Sequence, residues 1–189
     1  MAQFKIALVA GSNRRESINR RLADALVGLL GDRIEVLQVR IDDLPMYNAD
    51  LDPTAQPSVV RFKDEVARCA GVLIVMPEHN RSLPAVLKNA IDWGSKPFEA
   101  NVWRDKTVAI TGTSPGGIDT AVGQQHLRQV MAILGCLVMG GEAYIQFKPG
   151  LIGEDGLIAD ASTKAFLQAY IDRFVSLLAM VGGAAVRVA

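Results

Sequence analysis

Residues 4–19 read Phe4-Lys5-Ile6-Ala7-Leu8-Val9-Ala10-Gly11-Ser12-Asn13-Arg14-Arg15-Glu16-Ser17-Ile18-Asn19. The first seven form a nearly continuous apolar run, as a parallel strand covered on both faces requires. Gly11 lets the chain turn sharply, and Ser17 stands where a helix N-cap belongs. Ile18, Leu22, Leu26 and Leu29 then fall on one helical stripe, which Gly31 closes. Strand, polar turn and helix make the opening half of a parallel crossover.

Outward from this unit the pattern repeats. Strand-like runs lie at Ile34–Val39, Val72–Met76 and Thr107–Thr111, with a weaker one around Cys136–Met139. The second carries Glu35 and Gln38 and suits a sheet edge. Helical stripes lie between them at Val59, Phe62 and Val66, at Val86, Leu87, Ala90 and Ile91 with Pro84 suited to the first turn, and at Leu127, Val130, Met131 and Leu134. A last stripe runs through Phe166, Leu167, Tyr170, Ile171, Phe174 and Leu178. The alternation predicts an α/β doubly wound sheet of five parallel strands with helices on both faces. Right-handed crossovers and a polar edge favour the order 2-1-3-4-5, with a ligand crevice beyond the tips of strands one and three. The 189 residues fit a single domain, and the tail from about residue 182 is expected to fray.

Composition excludes several classes. Half the residues are hydrophobic and 21% are charged, which suits a packed globular chain. Lys plus Arg and Asp plus Glu both number 20, so nothing favours a nucleic-acid binder or a strongly acidic docking carrier. The apolar start is too short for a membrane span and reads as a strand, so no membrane partner is expected and the cytoplasm is the expected location. Cys69 and Cys136 stand alone, without metal-ligand or redox spacing, and read as structural thiols.

The polar loops at the strand tips carry the chemistry. In the first, Ser12, Ser17 and Asn19 offer side-chain donors, and a helix start adds free N–H groups, so the loop can surround a phosphate without a metal. Arg14 adds charge at its rim. Neither G-x-x-x-x-G-K-[ST] nor G-x-G-x-x-G occurs here, which removes the main support for ATP hydrolysis and for direct dinucleotide binding. Ser17 also reads simply as a helix cap. After the third strand, Pro77 and Pro84 bracket Glu78, His79, Asn80 and Arg81, a stiffened loop able to meet a flat heterocycle edge-on. His79 could stack on such a ring and Asn80 hydrogen-bond it; the plain alternative makes Glu78 and Asn80 turn residues. His126 belongs to a different helix, and no metal-ligand spacing links it to His79. Gly112 to Gly117 form a third loop on the same edge, open enough for close backbone approach.

Two of these loops together resemble the NADPH-dependent FMN reductase family, in particular its bacterial quinone and chromate reductase branch. The family pattern G-S-x-R-x-x-S-x-N is met by Gly11, Ser12, Arg14, Ser17 and Asn19. Its P-E-Y-N and P-x-x-L-K-N-A-I-D-W patterns are met by Pro77, Glu78 and Asn80, then Pro84, Leu87, Lys88, Asn89, Ala90, Ile91, Asp92 and Trp93. His79 stands where the family has tyrosine. The resemblance implies a flavodoxin-like fold with bound FMN, its phosphate held by Ser12, Asn13, Arg14, Ser17, Ile18 and Asn19. It places Pro77, Glu78, His79 and Asn80 at the isoalloxazine, with Ser114 and Gly116 approaching from the third loop. NADPH or NADH is the implied donor, and Arg81 is a candidate for holding the nicotinamide nucleotide. Quinones, chromate or other metal oxyanions, azo compounds and free flavin are the implied acceptors, and a homodimer or homotetramer the implied assembly. No side chain need be the nucleophile, because the flavin carries the chemistry. A flavodoxin-type carrier serving protein partners is the alternative; NAD(P)H oxidation with a small acceptor alone separates the two.

Overall fold

Five parallel strands make the main sheet in a computed structural model that describes residues 4–185. They are β1 (Phe4–Ala10), β2 (Ile34–Gln38), β3 (Gly71–Val75), β4 (Thr107–Ser114) and β5 (Leu137–Val138), ordered β2-β1-β3-β4-β5. The expected flavodoxin-like order is therefore observed, with the polar β2 at an edge. Helices α1 (Ile18–Leu30) and α5 (Ala161–Ala185) cover one face; α2 (Pro57–Ala67), α3 (Ala85–Ser95) and α4 (Ala121–Ile133) cover the other.

The period of two along each strand divides the core. Ile6, Leu8, Leu73 and Val75 pack with Leu22, Leu26 and Phe174 on the first face. Ala7, Val9, Val72 and Ile74 pack with Phe62, Leu87 and Met131 on the second. Each fully buried Leu, Ile or Phe stabilises the fold by about 1.5–3 kcal/mol relative to exposure. By length and composition α5 is apolar enough to cross a membrane. Its Leu167, Tyr170, Ile171, Phe174 and Leu178 are buried against the sheet. Cys69 and Cys136 are free, and burial raises both thiol pKa values, Cys136 to about 12, with nearby Asp105 adding to it.

Three expectations need correction. A sixth strand, β6 (Tyr144–Gln146), pairs in parallel with Gly112–Ser114. It continues the edge that β5 begins, after an interruption containing Gly140 and left-handed Gly141 (φ 84°). In consequence β4 runs to Ser114, and residues 112–114 are strand rather than loop. Pro84 occupies the N-cap of α3 instead of its first turn. Helix α5 continues through Gly182 to Ala185, and residues 186–189 of the tail lie outside the described residues.

The interruption between β5 and β6 is closed by side chains. Arg128 donates to the carbonyls of Met139 (2.7 Å) and Gly141 (2.8 Å). The Tyr170 hydroxyl accepts from the Ile110 N–H (3.0 Å) and donates to the Ile110 carbonyl (2.7 Å). It takes the place of the missing strand partner, as buried backbone groups demand.

Candidate cofactor site

The first loop leaves β1 across the tip of β3. Gly11 donates to the Val75 carbonyl at 2.8 Å, and a β-carbon there would press on Met76 Cβ at 3.0 Å and Leu87 Cδ2 at 3.1 Å. Ser12 is 9% exposed, and its Oγ accepts from the Arg14 N–H. Ser17 caps α1, its Oγ accepting from the Arg20 N–H at 3.3 Å. The remaining first-turn N–H groups have no acceptor within the helix and carry its positive dipole. Asn13 and Arg14 are exposed around this opening, and Ile18 is half-buried behind it. Asn19 is 1% exposed, and its side-chain amide is committed at both ends to the Thr113 backbone, at 2.9 Å each way.

After β3 the loop folds into a tight hairpin. His79 and Ser82 exchange both backbone hydrogen bonds (3.0 and 2.9 Å), while Asn80 (φ 50°) and Arg81 (φ 63°) are both left-handed. That is a type I′ turn, natural for asparagine and strained for arginine. Pro77 is half-buried, and His79, Asn80 and Arg81 are exposed at the tip. The Glu78 carboxylate points inward with its side chain 6% exposed, accepting from the Gly123 N–H (2.8 Å) and pairing with Arg81 (2.9 Å). It thus anchors the hairpin to the start of α4, where negative charge is favoured. His126 is not remote from this loop: its Nδ1 lies 2.9 Å from Ser82 Oγ. The long sequence separation hid that contact.

Glu78, Asn80, Arg81, Ser114, Gly116, Gly117, Ile118 and Asp119 line a cleft of about 440 Å³ between the hairpin and the turn after β4. Asp119, absent from the sequence expectations, is also left-handed (φ 54°), and its Oδ1 is shut from solvent with no hydrogen-bond partner among the described residues. Burial raises its carboxyl pKa, against an opposing pull from Lys148. Two other hollows, of about 400 and 670 Å³, lie at β2 and at the start of α5, and none of the predicted ring or phosphate residues lines either. Among the described residues no group of three or more His, Cys, Asp or Glu is placed to hold a metal.

The family described as NADPH-dependent FMN reductase matches residues 4–149. The chain belongs to that family. A 2-hydroxy-1,4-benzoquinone reductase of a Burkholderia species is 44% identical over 92% of this chain and 95% of its own length. A quinone reductase of Pseudomonas putida is 42% identical over 92% and 94%. Among solved structures, the flavoenzyme NAD(P)H:(acceptor) oxidoreductase FerB from Paracoccus denitrificans superposes with a TM-score of 0.90 at 39% identity, covering 94% and 98%.

The residues present fit the family's FMN. A helix start with buried serines and an exposed arginine suits a terminal phosphate. A neighbouring cleft with Gly116 and Gly117 on its wall suits a planar ring. Asn19 joins the two parts, since it opens α1 and holds the end of β4.

Proposed function

We propose that this chain is an FMN-dependent NAD(P)H oxidoreductase whose acceptors are small quinones, with chromate, other metal oxyanions, azo compounds and free flavin as further candidates. The observation that carries the reading is a helix-start anion site after β1, tied through the Asn19–Thr113 bonds to a glycine-walled cleft between the loops that follow β3 and β4, in a chain that resembles quinone reductases over nearly their full length. Bound FMN supplies the hydride chemistry.

In this reading Ser12, Asn13, Arg14, Ser17 and Ile18 bind the phosphate end, with Asn19 positioning the helix start. Pro77, Glu78, His79 and Asn80 shape the ring cleft; Ser114 and Gly116 form its opposite wall. Exposed His79 takes the flanking place of the family tyrosine. Arg81 stands at the mouth, where it holds the anionic part of NADPH or NADH. Donor and acceptor use one open cleft in turn, which gives ping-pong kinetics. An assembly of two or four copies is part of the proposal, supported by exposed Ile118 and Val122 beside the cleft. Free thiols and a need for NAD(P)H suit the cytoplasm.

The test is anaerobic titration of FMN-loaded protein with NADPH and NADH, followed by a panel of quinones. Flavin bleaching by the nicotinamide and re-oxidation by a quinone alone are expected. No bleaching, or re-oxidation only through a partner protein, would replace the reductase with a carrier.

A further inference from the structure

Arg20 stands just past the first motif, yet it holds both ends of the loop between β1 and α1. Its backbone N–H donates to Ser17 Oγ (3.3 Å) at the end of the loop. Its side-chain Nε donates to the Ser12 carbonyl (3.0 Å) at the start. The other contact of the guanidinium is Asp42, at 3.4 Å, with the two side chains 42% and 27% exposed. An ion pair so long and so wet contributes little to stability. The bond to Ser12 is the one with a consequence.

That bond has a direction. Arg20 lines the hollow beside β2 with Arg40 and Asp42, and none of the residues expected at the phosphate lines it. The Ser12 carbonyl is therefore drawn towards the β2 edge and out of the loop. A trans peptide is planar, so its C=O and N–H point in opposite directions. Holding the Ser12 carbonyl thus aims the Asn13 N–H the other way, and that N–H has no acceptor among the described residues. Backbone N–H groups turned inwards are what an anion cradle needs, whereas an inward carbonyl would repel the anion. We propose that Arg20 is a positioning residue for the phosphate grip, turning the Asn13 N–H towards a phosphate monoester and so setting the preference for FMN over riboflavin. The inference deepens the cofactor reading above and rests on it.

The experiment titrates apo-protein with FMN and with riboflavin, which lacks the phosphate, followed by quenching of flavin fluorescence. Arg20→Met keeps the length of the side chain and loses both donor and charge. Arg20→Gln loses the charge but keeps an N–H donor the same number of bonds from the backbone as Nε. Arg20→Met should raise the Kd for FMN about tenfold, the size of one charge-assisted hydrogen bond, and leave that for riboflavin near the parental value. Arg20→Gln should stay within about threefold of the parent for FMN, since a neutral bond is about half as strong as a charge-assisted one. Melting curves of both variants verify folding. Arg20→Gln as weak as Arg20→Met would reduce the effect to charge and overturn the inference. Equal losses for FMN and riboflavin, or parental affinities in Arg20→Met, overturn it as well. A parent that binds FMN no better than riboflavin defeats instead the phosphate-site reading beneath it.

Discussion

Asn19 and Thr113, far apart in sequence, complete each other: the Asn19 amide donates to the Thr113 carbonyl and accepts from the Thr113 N–H, both at 2.9 Å. The reason lies in unequal strand lengths. β3 ends at Val75, pairing with Thr111, while β4 continues to Ser114. Thr113 therefore faces a side where no strand remains, and one amide supplies both missing bonds. The same bonds hold the start of α1, and with it the anion site, beside the wall of the ring cleft.

Asn19→Ala should destabilise the fold by about 1–3 kcal/mol, since it leaves two buried backbone groups unpaired. Asn19→Asp loses the donor and places an anion against the Thr113 carbonyl, so it should be no better. Both should raise the Kd for FMN through displacement of α1. Urea unfolding and FMN titration check this; parental values in both would show that Asn19 positions nothing.

Tyr170 does on the other edge of β4 what Asn19 does on the first. Tyr170→Phe should destabilise by about 1–3 kcal/mol by leaving Ile110 N–H and C=O unpaired in the core. Burial raises the hydroxyl pKa from 10.0 to about 12. A folded value above the unfolded one means stabilisation present below pH 10 and lost as pH rises towards 12. The phenylalanine variant should lose this part of the alkaline destabilisation, as urea midpoints at increasing pH would show.

Strand order and the placing of two loops at one sheet edge were legible because they rest on apolar periodicity and on short local motifs. β6 was not, since three residues give no period and Ile145 alone among them is buried. Gly112, Thr113 and Ser114 read as turn residues, yet their strand conformation comes from pairing with β6, a contact across the chain. Asn19 was legible as a donor but not as Thr113's partner: residue type reports bonding capacity, and only the fold chooses the acceptor. Asp119 was hidden in a polar, glycine-rich turn, where its buried oxygen leaves no mark in the sequence.

Arg81 combines a strained backbone with an exposed cation at the cleft mouth. Arg81→Ala should raise KM for NADPH and NADH about threefold to fivefold, the scale of an exposed charge contact, with little change in kcat. Arg81→Gly relieves the φ of 63° while removing the same charge. Equal losses in both variants would assign the effect to charge; recovery in the glycine variant would assign it to hairpin strain. Parental kinetics with both donors would remove Arg81 from nucleotide binding.

Asp160 accepts from Ser162 Oγ (2.6 Å) and the Thr163 N–H (2.7 Å) before α5, and these bonds lower its pKa from 3.8 to about 2. A depressed folded value gives stabilisation that is present above 3.8 and lost as pH falls towards 2. Asp160→Asn keeps an acceptor without the charge. Parent and variant melting temperatures should therefore converge as pH falls through that window, and a gap independent of pH would contradict the assignment.

Gly123 sets how closely α4 approaches the ring hairpin. A β-carbon there would lie 2.9 Å from both Met76 Cε and the Ser82 carbonyl oxygen, and 3.2 Å from Glu78 Cγ. Met76 has a flexible end and can yield, but the Ser82 carbonyl is held in its exchange with His79. Gly123→Ala must therefore push the hairpin away and lengthen the bond from its own N–H to Glu78. Two effects oppose each other, since alanine gains at most about 1 kcal/mol over glycine in a helix, less in the first turn where Gly123 sits, while overpacking loses about 1–3 kcal/mol. Stability should consequently change little or fall slightly, whereas FMN affinity should fall several-fold because the ring cleft widens. Paired melting and FMN titration distinguish the outcomes; unchanged affinity would show that the hairpin is not held in place from α4.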